Sequence, residues 1–292
     1  MASSSERPHH PELPPTRPDQ LWWPQEGIRK RDVYAYYGAI APALLPHLRD
    51  RPFTIKRYPN GPRGPCFWIK DLPPEAPAWI RVAPLPARSR GGGEVRYALV
   101  PDRRTLLWLA DFGCVDMHVW SARRDRPSRP DWAIFDLDPT KSGDTVEAAL
   151  LLKQALDALD LESFPRTSGH PRGMHVLVPL ARVHEHDEVR AFVQAVARAV
   201  HRSHPKLGVA VDAKMNGQGQ QFVSAYSVRP KSARVCTPLR WDEVDESLGF
   251  GAFTMAEVLQ RVDRLGDLHA GVLRGRQRLG PALRRFAAAR RG

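Results

Sequence analysis

The feature that most constrains this chain is an apolar run that ends in two acids, the stretch DWAIFDLDPT at residues 131–140. The run suits a buried β-strand, in which residues i and i+2 point to the same face of the sheet. Asp136 and Asp138 would therefore lie side by side and repel each other unless a cation lies between them. Hard divalent cations such as Mg²⁺ prefer carboxylate oxygens and substrate phosphates, so the stretch predicts a divalent metal site.

Two chemistries fit this acid pair, and a third interpretation assigns it none. In nucleotidyl transfer the two aspartates would hold catalytic metal ions. In phosphohydrolysis the first would be a nucleophile, because D-x-D-x-T also resembles the first motif of the haloacid dehalogenase phosphatases. Otherwise the stretch would be a surface turn, with Asp136 and Asp138 solvated and Pro139 ending the strand, which the preceding apolar run disfavours. The stretch alone leaves nucleotidyl transfer and phosphohydrolysis open.

The charge of the chain indicates a polyanionic partner. Lys and Arg number 44 against 32 Asp and Glu, which gives a formal net charge of +12 over 292 residues. An excess of that size favours nucleic acid or an acidic membrane surface as the partner. It also leaves a catalytically inactive nucleic-acid-binding module as an alternative.

Cysteine usage and hydropathy predict a soluble cytoplasmic protein that does not enter a membrane. Cys66, Cys114 and Cys236 are far apart and show no C-x-x-C spacing, so we expect neither a zinc site nor a disulfide framework. No stretch approaches the length of about 20 apolar residues that a membrane span needs. The N-terminus also lacks the layout of a signal peptide.

The distribution of apolar residues predicts an α+β fold. Helical spacing occurs from Asp32 to Leu48, with Asp32 as the N-cap, and in residues 144–159, 187–203 and 253–265. Strand-like segments lie between them without regular βαβ alternation, which argues against a doubly wound sheet. The segments VAVDAKM and QQFVSAYSVRP, on either side of the turn NGQG, are predicted to pair with each other.

The two ends of the chain differ in composition from its middle. Residues 1–19 are rich in Pro, Ser and charge, so we expect a flexible N-terminal tail. Residues 20–270 would form the folded domain. Residues 271–292 are dense in Arg and predict a basic C-terminal helix or tail.

A metal-dependent nucleotidyltransferase needs a third carboxylate and a cationic cradle for a triphosphate. Asp212 ends the segment VAVDAKM, and Arg229 follows the next strand-like segment. The stretch RTSGHPRGMHV, residues 166–176, contains small residues that let backbone N–H groups approach phosphate oxygens. Its cations and donors are Arg166, Arg172 and His175.

The ordered motifs resemble a known family, the polymerase domain of bacterial ligase D. This is the repair polymerase of non-homologous end joining, within the archaeo-eukaryotic primase superfamily. The resemblance extends from about Leu21 to about Val244. Its stretches, in family order, are LWWPQEGIRKRDVYAYYGAIAPALLPHLRDRPFTIKRYPNG, FWIK, DMHVW, FDLDP, TSGHPRGMHVLVPL, VDAKMNG, SAYSVRP and TPLRWDEV. The implied fold is primase-like, with mixed central sheets flanked by helices.

The resemblance implies an active site and its cofactors. Asp136, Asp138 and Asp212 would bind two Mg²⁺ or Mn²⁺ ions for transfer of a nucleotide to a primer 3′-hydroxyl. The implied nucleotide-binding residues are His118, Ser168, Gly169, Arg172, His175 and Arg229. The turn from Ser168 to His175 matches the family pattern S-G…K-G-x-H, which grips the triphosphate. The family favours ribonucleotides, so NTPs are the expected substrates over dNTPs.

The resemblance also implies a DNA surface and partners. Phe67 and Trp68 match an aromatic pair that stacks on template bases, a contact worth about 1–3 kcal/mol per base. Adjacent strand residues face opposite ways, so core packing of at least one of them is the alternative. The implied DNA-binding residues are Lys30, Lys56, Arg57, Phe67, Trp68 and Lys70, of which Lys30, Lys56 and Arg57 would receive the downstream 5′-phosphate. Implied partners are DNA with gaps or broken ends, NTP or dNTP, Ku and a separate DNA ligase, and the implied location is the nucleoid.

The chain departs from the family pattern in several places. The turn from Ser168 to His175 is one residue longer than S-G-G-K-G-L-H, and Arg172 stands where Lys is typical. Met215 replaces a polar residue near the third aspartate. Gln20 occupies the place of a lysine that contributes to 5′-phosphate recognition. The sequence contains no K-x-D-G adenylation motif, so we expect a stand-alone polymerase that relies on a separate ligase.

Overall fold

The computed structural model describes residues 14–87, 92–140, 144–282 and 284. Its helices are α1 (Lys30–Leu48), α2 (Arg103–Asp111), α3 (Thr145–Asp157), α4 (His186–Ser203) and α5 (Met255–Leu265). Its strands are β1 (Leu21–Trp23), β2 (Ile28–Arg29), β3 (Phe53–Arg57), β4 (Phe67–Ile69), β5 (Val82–Pro86), β6 (Glu94–Ala98), β7 (His118–Trp120), β8 (Trp132–Pro139), β9 (Phe164–Thr167), β10 (Met174–Pro179), β11 (Val209–Asp212) and β12 (Gln221–Val223).

The strands form separate sheets with helices packed on them, so the predicted α+β class is confirmed. A four-stranded sheet has the order β11-β8-β10-β9. A larger sheet has the order β12-β7-β3-β6-β5, with β4 paired to β3. The named strands pair antiparallel, not in the mixed arrangement that we expected. Antiparallel neighbours can be joined by short turns, as β9 and β10 are here, whereas parallel neighbours need long crossovers.

Strand β8 is buried on both faces, which explains its continuous apolar run. Trp132 and Ile134 pack into the core that contains α1 and α2. Phe135 and Leu137 pack into the core beneath α3 and α4. Since side chains alternate, Asp136 continues the face of Trp132 and Ile134 where the apolar packing ends.

Helix α1 begins before the predicted N-cap. The helix starts at Lys30, Arg29 is the N-cap, and Asp32 is the third helical residue. The carboxylate of Asp32 accepts a hydrogen bond of 2.7 Å from the backbone N–H of Arg29, one half of a capping box. A carboxylate in this position signals a helix start just as an N-cap does, which accounts for the shift. Helix α3 lies within the predicted segment 144–159, and its N-cap is Asp144, whose side chain accepts from the N–H of Val146.

The two segments around NGQG do not pair with each other, contrary to prediction. Strand β11 pairs with β8, whereas β12 pairs with β7 in the larger sheet. The buried side chain of Asn216 explains the crossing. Its Oδ1 accepts from the N–H of Ile134 and its Nδ2 donates to the carbonyl of Ile134, each at 2.8 Å. An amide side chain thus takes the place of a strand beside β8, and the chain leaves the sheet there.

Both predicted terminal segments lie partly outside the described residues, at 1–13 and at 283 and 285–292. Thr16, within the predicted N-terminal tail, hydrogen-bonds Asp111 of α2 through its N–H at 2.6 Å and its hydroxyl at 2.9 Å. At the other end, Leu279 and Ala282 are buried in the core beneath α3 and α4. The three cysteines are free thiols. No described helix has the length and apolarity to cross a membrane.

Candidate active site

Three predicted acids lie on neighbouring strands at one end of the four-stranded sheet. Asp136 on β8 is directly opposite Asp212 on β11, and on its other side it is opposite His175 on β10. Directly opposed residues share a sheet face, with Cβ atoms about 4.5–5.5 Å apart. Asp138 follows Asp136 on the same face. We call Asp136, Asp138 and Asp212 the acid trio.

The members of the acid trio are unequally compensated. Burial alone would raise the pKa of Asp136, but the neighbouring His175 outweighs it and lowers that pKa, with help from Arg229. Partial burial, together with the charges of Asp136 and Asp212, raises the pKa of Asp138. Negative charge at this sheet end is therefore not fully balanced by protein cations.

Two buried side chains, Arg166 and His175, form a chain of hydrogen bonds that ends at Asp136. The Nε of Arg166 donates to Nδ1 of His175 at 3.0 Å, and Nε2 of His175 lies 3.3 Å from Oδ1 of Asp136. Burial lowers the pKa of His175 to about 4, so the ring is neutral. Because guanidinium only donates, Nδ1 must accept and the ring proton resides on Nε2, aimed at Asp136. Both nitrogens of the predicted nucleotide-binding residue His175 thus contact protein groups.

The acid trio fits a hard divalent cation by its chemistry, since all its donors are carboxylate oxygens on one face. In the described residues, no three or more His, Cys, Asp or Glu side chains are arranged closely enough to hold a metal ion. Asp212 is engaged locally: its Oδ1 accepts from the backbone N–H of Lys214 at 2.7 Å, and its Oδ2 lies 4.0 Å from Nζ of Lys214.

The turn between β9 and β10 is tightly folded. The N–H of Ser168 donates to the carbonyl of Gly173 at 2.8 Å. Gly169 and Arg172 have φ angles of +71° and +63°, in the left-handed region. A Cβ at Gly173 would lie 2.3 Å from Oγ of Ser168, so any larger residue would displace the Ser168 hydroxyl. The side chain of Arg172 is exposed at the tip of the turn.

A second acidic centre lies at Asp116, two residues before β7 of the larger sheet, and sequence analysis missed this residue. Its Oδ2 lies 2.9 Å from Nε2 of His118, 3.5 Å from Nζ of Lys56 and 3.8 Å from Nη1 of Arg229. Burial opposes the ionisation of Asp116, but His118 and these cations lower its pKa to about 2. We call these four residues the Asp116 cluster. The stretch DMHVW carried a signal, since Asp116 and His118 share the same i, i+2 spacing as the acid pair.

His118 is oriented by this cluster. Burial lowers the pKa of His118, against the opposing effect of Asp116, so the ring is neutral. Its Nε2–H donates to Asp116, and its Nδ1 has no hydrogen-bond partner among the residues described. The ring of Trp68 lies edge-on at 5.0 Å between centroids. His118 thus presents one acceptor beside an aromatic surface.

The aromatic pair on β4 is exposed, so the alternative that one of the two packs into the core is wrong. Phe67 is 56% and Trp68 48% exposed. In the described chain β4 pairs only with β3, which leaves its outer edge open. Lys70 and Trp68 border a cleft of about 560 Å³ whose floor includes Trp120.

The predicted basic group Lys30, Lys56 and Arg57 is divided between two recesses. Lys30 and Arg57 line a recess of about 590 Å³ together with Gln20. Lys56 lines a different one of about 570 Å³. Adjacent residues on β3 point to opposite faces, and the same alternation in the sequence could have predicted this division. Within the first recess, Nζ of Lys30 is 2.7 Å from Asp111.

Comparison with known proteins supports one family. A family model described as LigD, primase-polymerase domain, matches residues 29–269 of this chain. The multifunctional non-homologous end joining protein LigD of Mycolicibacterium smegmatis is 32% identical over 275 residues, which cover 87% of this chain and 35% of that protein. The bifunctional LigD of Bacillus subtilis is 29% identical over 277 residues, 89% of this chain and 44% of that protein. The chain thus spans less than half the length of these relatives.

The fold leads to the same family. The solved polymerase domain of Mycobacterium tuberculosis ligase D, in complex with DNA, superposes with a TM-score of 0.82 at 27% identity, covering 90% of this chain and 98% of that chain. The acid trio, the turn after β9 and the exposed aromatic pair all lie within the residues that the family model matches. The chain therefore belongs to the LigD primase-polymerase domain family.

Proposed function

We propose that this chain is a metal-dependent nucleotidyltransferase that adds nucleotides, with ribonucleotides preferred, to DNA 3′ ends at gaps or double-strand breaks in non-homologous end joining. The register of β8 with β11, which puts Asp212 directly opposite Asp136, carries this proposal. Carboxylates on one sheet face beside a cationic cluster are what two-metal phosphoryl transfer requires. The relatives are named as non-homologous end joining proteins, and the solved polymerase domain is bound to DNA.

The acid trio would hold two Mn²⁺ or Mg²⁺ ions. Bound there, the ions would lower the pKa of the primer 3′-hydroxyl and stabilise charge on the transferring phosphoryl group. The chain's own contribution is to keep Asp136 ionised and fixed in direction. His175 does this through the Nε2–H that it donates to Asp136, and Arg166 fixes the His175 tautomer.

The incoming triphosphate would lie between the acid trio and the Asp116 cluster. Arg229 lies close enough to both centres for its charge to lower the pKa of Asp116 and to oppose the rise in that of Asp138. Lys56 adds a second cation on the same side. The turn after β9, with Ser168, Gly169 and Arg172, would contribute donors from its backbone and from the Arg172 side chain. The free acceptor of His118 is assigned to the nucleoside.

The DNA would occupy the exposed surface of β4 and the recess beside α1. Phe67 and Trp68 would stack on template bases, with Lys70 beside them on the backbone. The recess lined by Lys30 and Arg57 would receive the 5′-phosphate across the gap. Gln20 lines the same recess, and its uncharged amide would donate to a phosphate oxygen without adding charge. Ku and a separate ligase are the proposed partners, at the nucleoid.

The two other functions that the sequence left open are less well supported. A haloacid dehalogenase-type phosphohydrolase is not the family that matches residues 29–269. In a non-catalytic DNA-binding module, the incompletely balanced negative charge of the acid trio would repel the DNA backbone. Both remain distinguishable by experiment.

The test is primer extension by the purified chain on a gapped duplex with a 5′-phosphate, in Mn²⁺, with NTPs or dNTPs. We expect extension that is more efficient with NTPs and that Asp136→Ala reduces at least about 10³-fold, since the metal ions act as a unit with their ligands. Asp263→Ala, at an exposed aspartate of α5, is the matched control and should extend like the parent. Phosphate release from small phosphoesters without extension would instead indicate a phosphohydrolase, and DNA binding with neither activity a non-catalytic module.

A further inference from the structure

His170 lies in the turn after β9, the turn that is one residue longer than the family pattern. None of the roles described above uses it. Its side chain lines the recess of about 570 Å³ that also contains Lys56, Arg229 and Lys231. An uncharged histidine adds no attraction for an anion to a recess whose lining includes these cations, so His170 needs another explanation.

The turn that carries His170 is interlocked with the loop that carries Arg229. The hydroxyl of Ser232 donates to the carbonyl of Gly169 at 2.5 Å. A Cβ at Gly169 would lie 2.4 Å from Cγ of Arg229, so any larger residue would displace the arginine side chain. Gly169 therefore lets the turn lie directly on Arg229, and this places residue 170 beside the guanidinium group.

The imidazole of His170 makes one specific contact with Arg229. Its Nε2 is 2.6 Å from Nη2 of the guanidinium group. Guanidinium nitrogens only donate, so Nε2 accepts and the ring proton is on Nδ1. Burial, with the charges of Arg229 and Lys231, lowers the pKa of His170 to about 4. At neutral pH the ring is thus the uncharged acceptor that this contact needs.

The contact leaves the other two guanidinium nitrogens of Arg229 without a hydrogen-bond partner among the described residues. The Nε and Nη1 atoms of Arg229 are buried and have no hydrogen bond within the described part of the chain. Asp116 is 3.8 Å from Nη1, beyond hydrogen-bond distance. Buried donors without partners are costly, so these two nitrogens indicate an anionic acceptor from outside the protein.

We propose that His170 is a positioning residue that orients the Arg229 guanidinium for the triphosphate of the incoming nucleotide. The imidazole holds Nη2, and Nε and Nη1 are thereby directed to phosphate oxygens in a fixed geometry. This inference rests on the proposed function, because it takes a nucleoside triphosphate as the anion. It assigns to a residue of this longer turn the task of fixing the direction of the Arg229 guanidinium group.

The test compares His170→Ala with His170→Gln, whose side-chain oxygen can accept at the place of Nε2. Steady-state primer extension is measured over a range of NTP concentrations, with saturating primer-template and Mn²⁺. We expect His170→Ala to raise KM for NTP about tenfold while kcat changes less than about twofold, because a hydrogen bond to a charged group of the binding site is lost. His170→Gln should restore most of the affinity. His201→Ala, an exposed histidine of α4, is the matched control and should match the parent chain.

A second measurement isolates the triphosphate. Inorganic tripolyphosphate should inhibit the parent chain competitively with NTP, and its inhibition constant should rise in His170→Ala by the same factor as KM.

An unchanged KM in His170→Ala would overturn the inference. So would a loss of kcat and melting temperature that His170→Gln does not rescue, since that pattern indicates a structural role. If Asp136→Ala still extends primers, the proposed function itself fails; if only the His170 variants behave like the parent, this inference alone fails.

Discussion

The two acidic centres of this protein place the same side chain in opposite environments. Asp116 is fully buried, lies near one histidine and two cations, and its pKa falls to about 2. Asp138 is only partly buried, has Asp136 and Asp212 as neighbours, and its pKa rises. The difference teaches that the Asp116 cluster is balanced within the protein, whereas the acid trio has charge left for a ligand from outside.

Arg229 links the two centres. It lies 3.8 Å from Asp116, and its charge also lowers the pKa of Asp136. Arg229 is held in place beside Asp116, whose charge is balanced within the protein. It remains available to a ligand that binds at the acid trio. The buried cluster therefore supports the orientation of the cation, and the trio supplies the place where charge can be accepted.

Removal of the buried charge should give the largest effect on stability. Asp116→Asn leaves Lys56 and Arg229 without their shared carboxylate, so we expect the free energy of unfolding to fall by about 3 kcal/mol. Because the folded pKa of Asp116 is about 2 against an ordinary value of 3.8, its contribution is present above pH 3.8 and is lost as pH falls towards 2. Urea unfolding of the variant should lack this acid-induced loss. A stability equal to that of Asp263→Asn at neutral pH would contradict the comparison.

Neutralisation of the exposed centre should act with the opposite sign when no metal is present. Because the pKa of Asp138 is raised in the folded state, the free energy of unfolding falls as pH rises through that pKa. Asp138→Asn should therefore be at least as stable as the parent at neutral pH. Mn²⁺ at a hundredfold above its dissociation constant should stabilise the parent by about 2.7 kcal/mol and the variant by much less. Thermal melting with and without Mn²⁺ measures both effects. Equal Mn²⁺ stabilisation of the parent and the variant would count against metal binding by the trio.

Lys56 and Arg57 are neighbours on β3, but only Lys56 belongs to the Asp116 cluster, so their variants should affect different kinetic parameters. Lys56→Ala should raise KM for NTP about tenfold, because a cation near the triphosphate is lost. Arg57→Ala should leave that KM unchanged and lower the preference for a 5′-phosphorylated over a 5′-hydroxyl gap by about tenfold. Extension kinetics and competition between the two gapped duplexes measure these effects. If both variants change the same parameter, the two recesses do not have separate roles.

Local patterns in the sequence were sufficient for several elements. The helix after Asp144 follows from its cap and its apolar period, and the common face of Asp136 and Asp138 follows from strand alternation. Other expectations failed because the competing signals were not local. The hairpin around NGQG looked favourable, but Asn216 bonds to Ile134, 82 residues away, and directs β11 and β12 to different sheets.

The sequence by itself determined the family, the α+β class and the acid pair at the end of an apolar strand. Each of these depends on residue order and on spacings of a few residues, which the chain carries wherever its partners lie. Only the tertiary structure decided that Lys56 and Arg229 lie beside Asp116, and that His170 contacts Arg229. Those contacts join segments distant along the chain, and strand register and loop packing, which no local spacing encodes, bring them together.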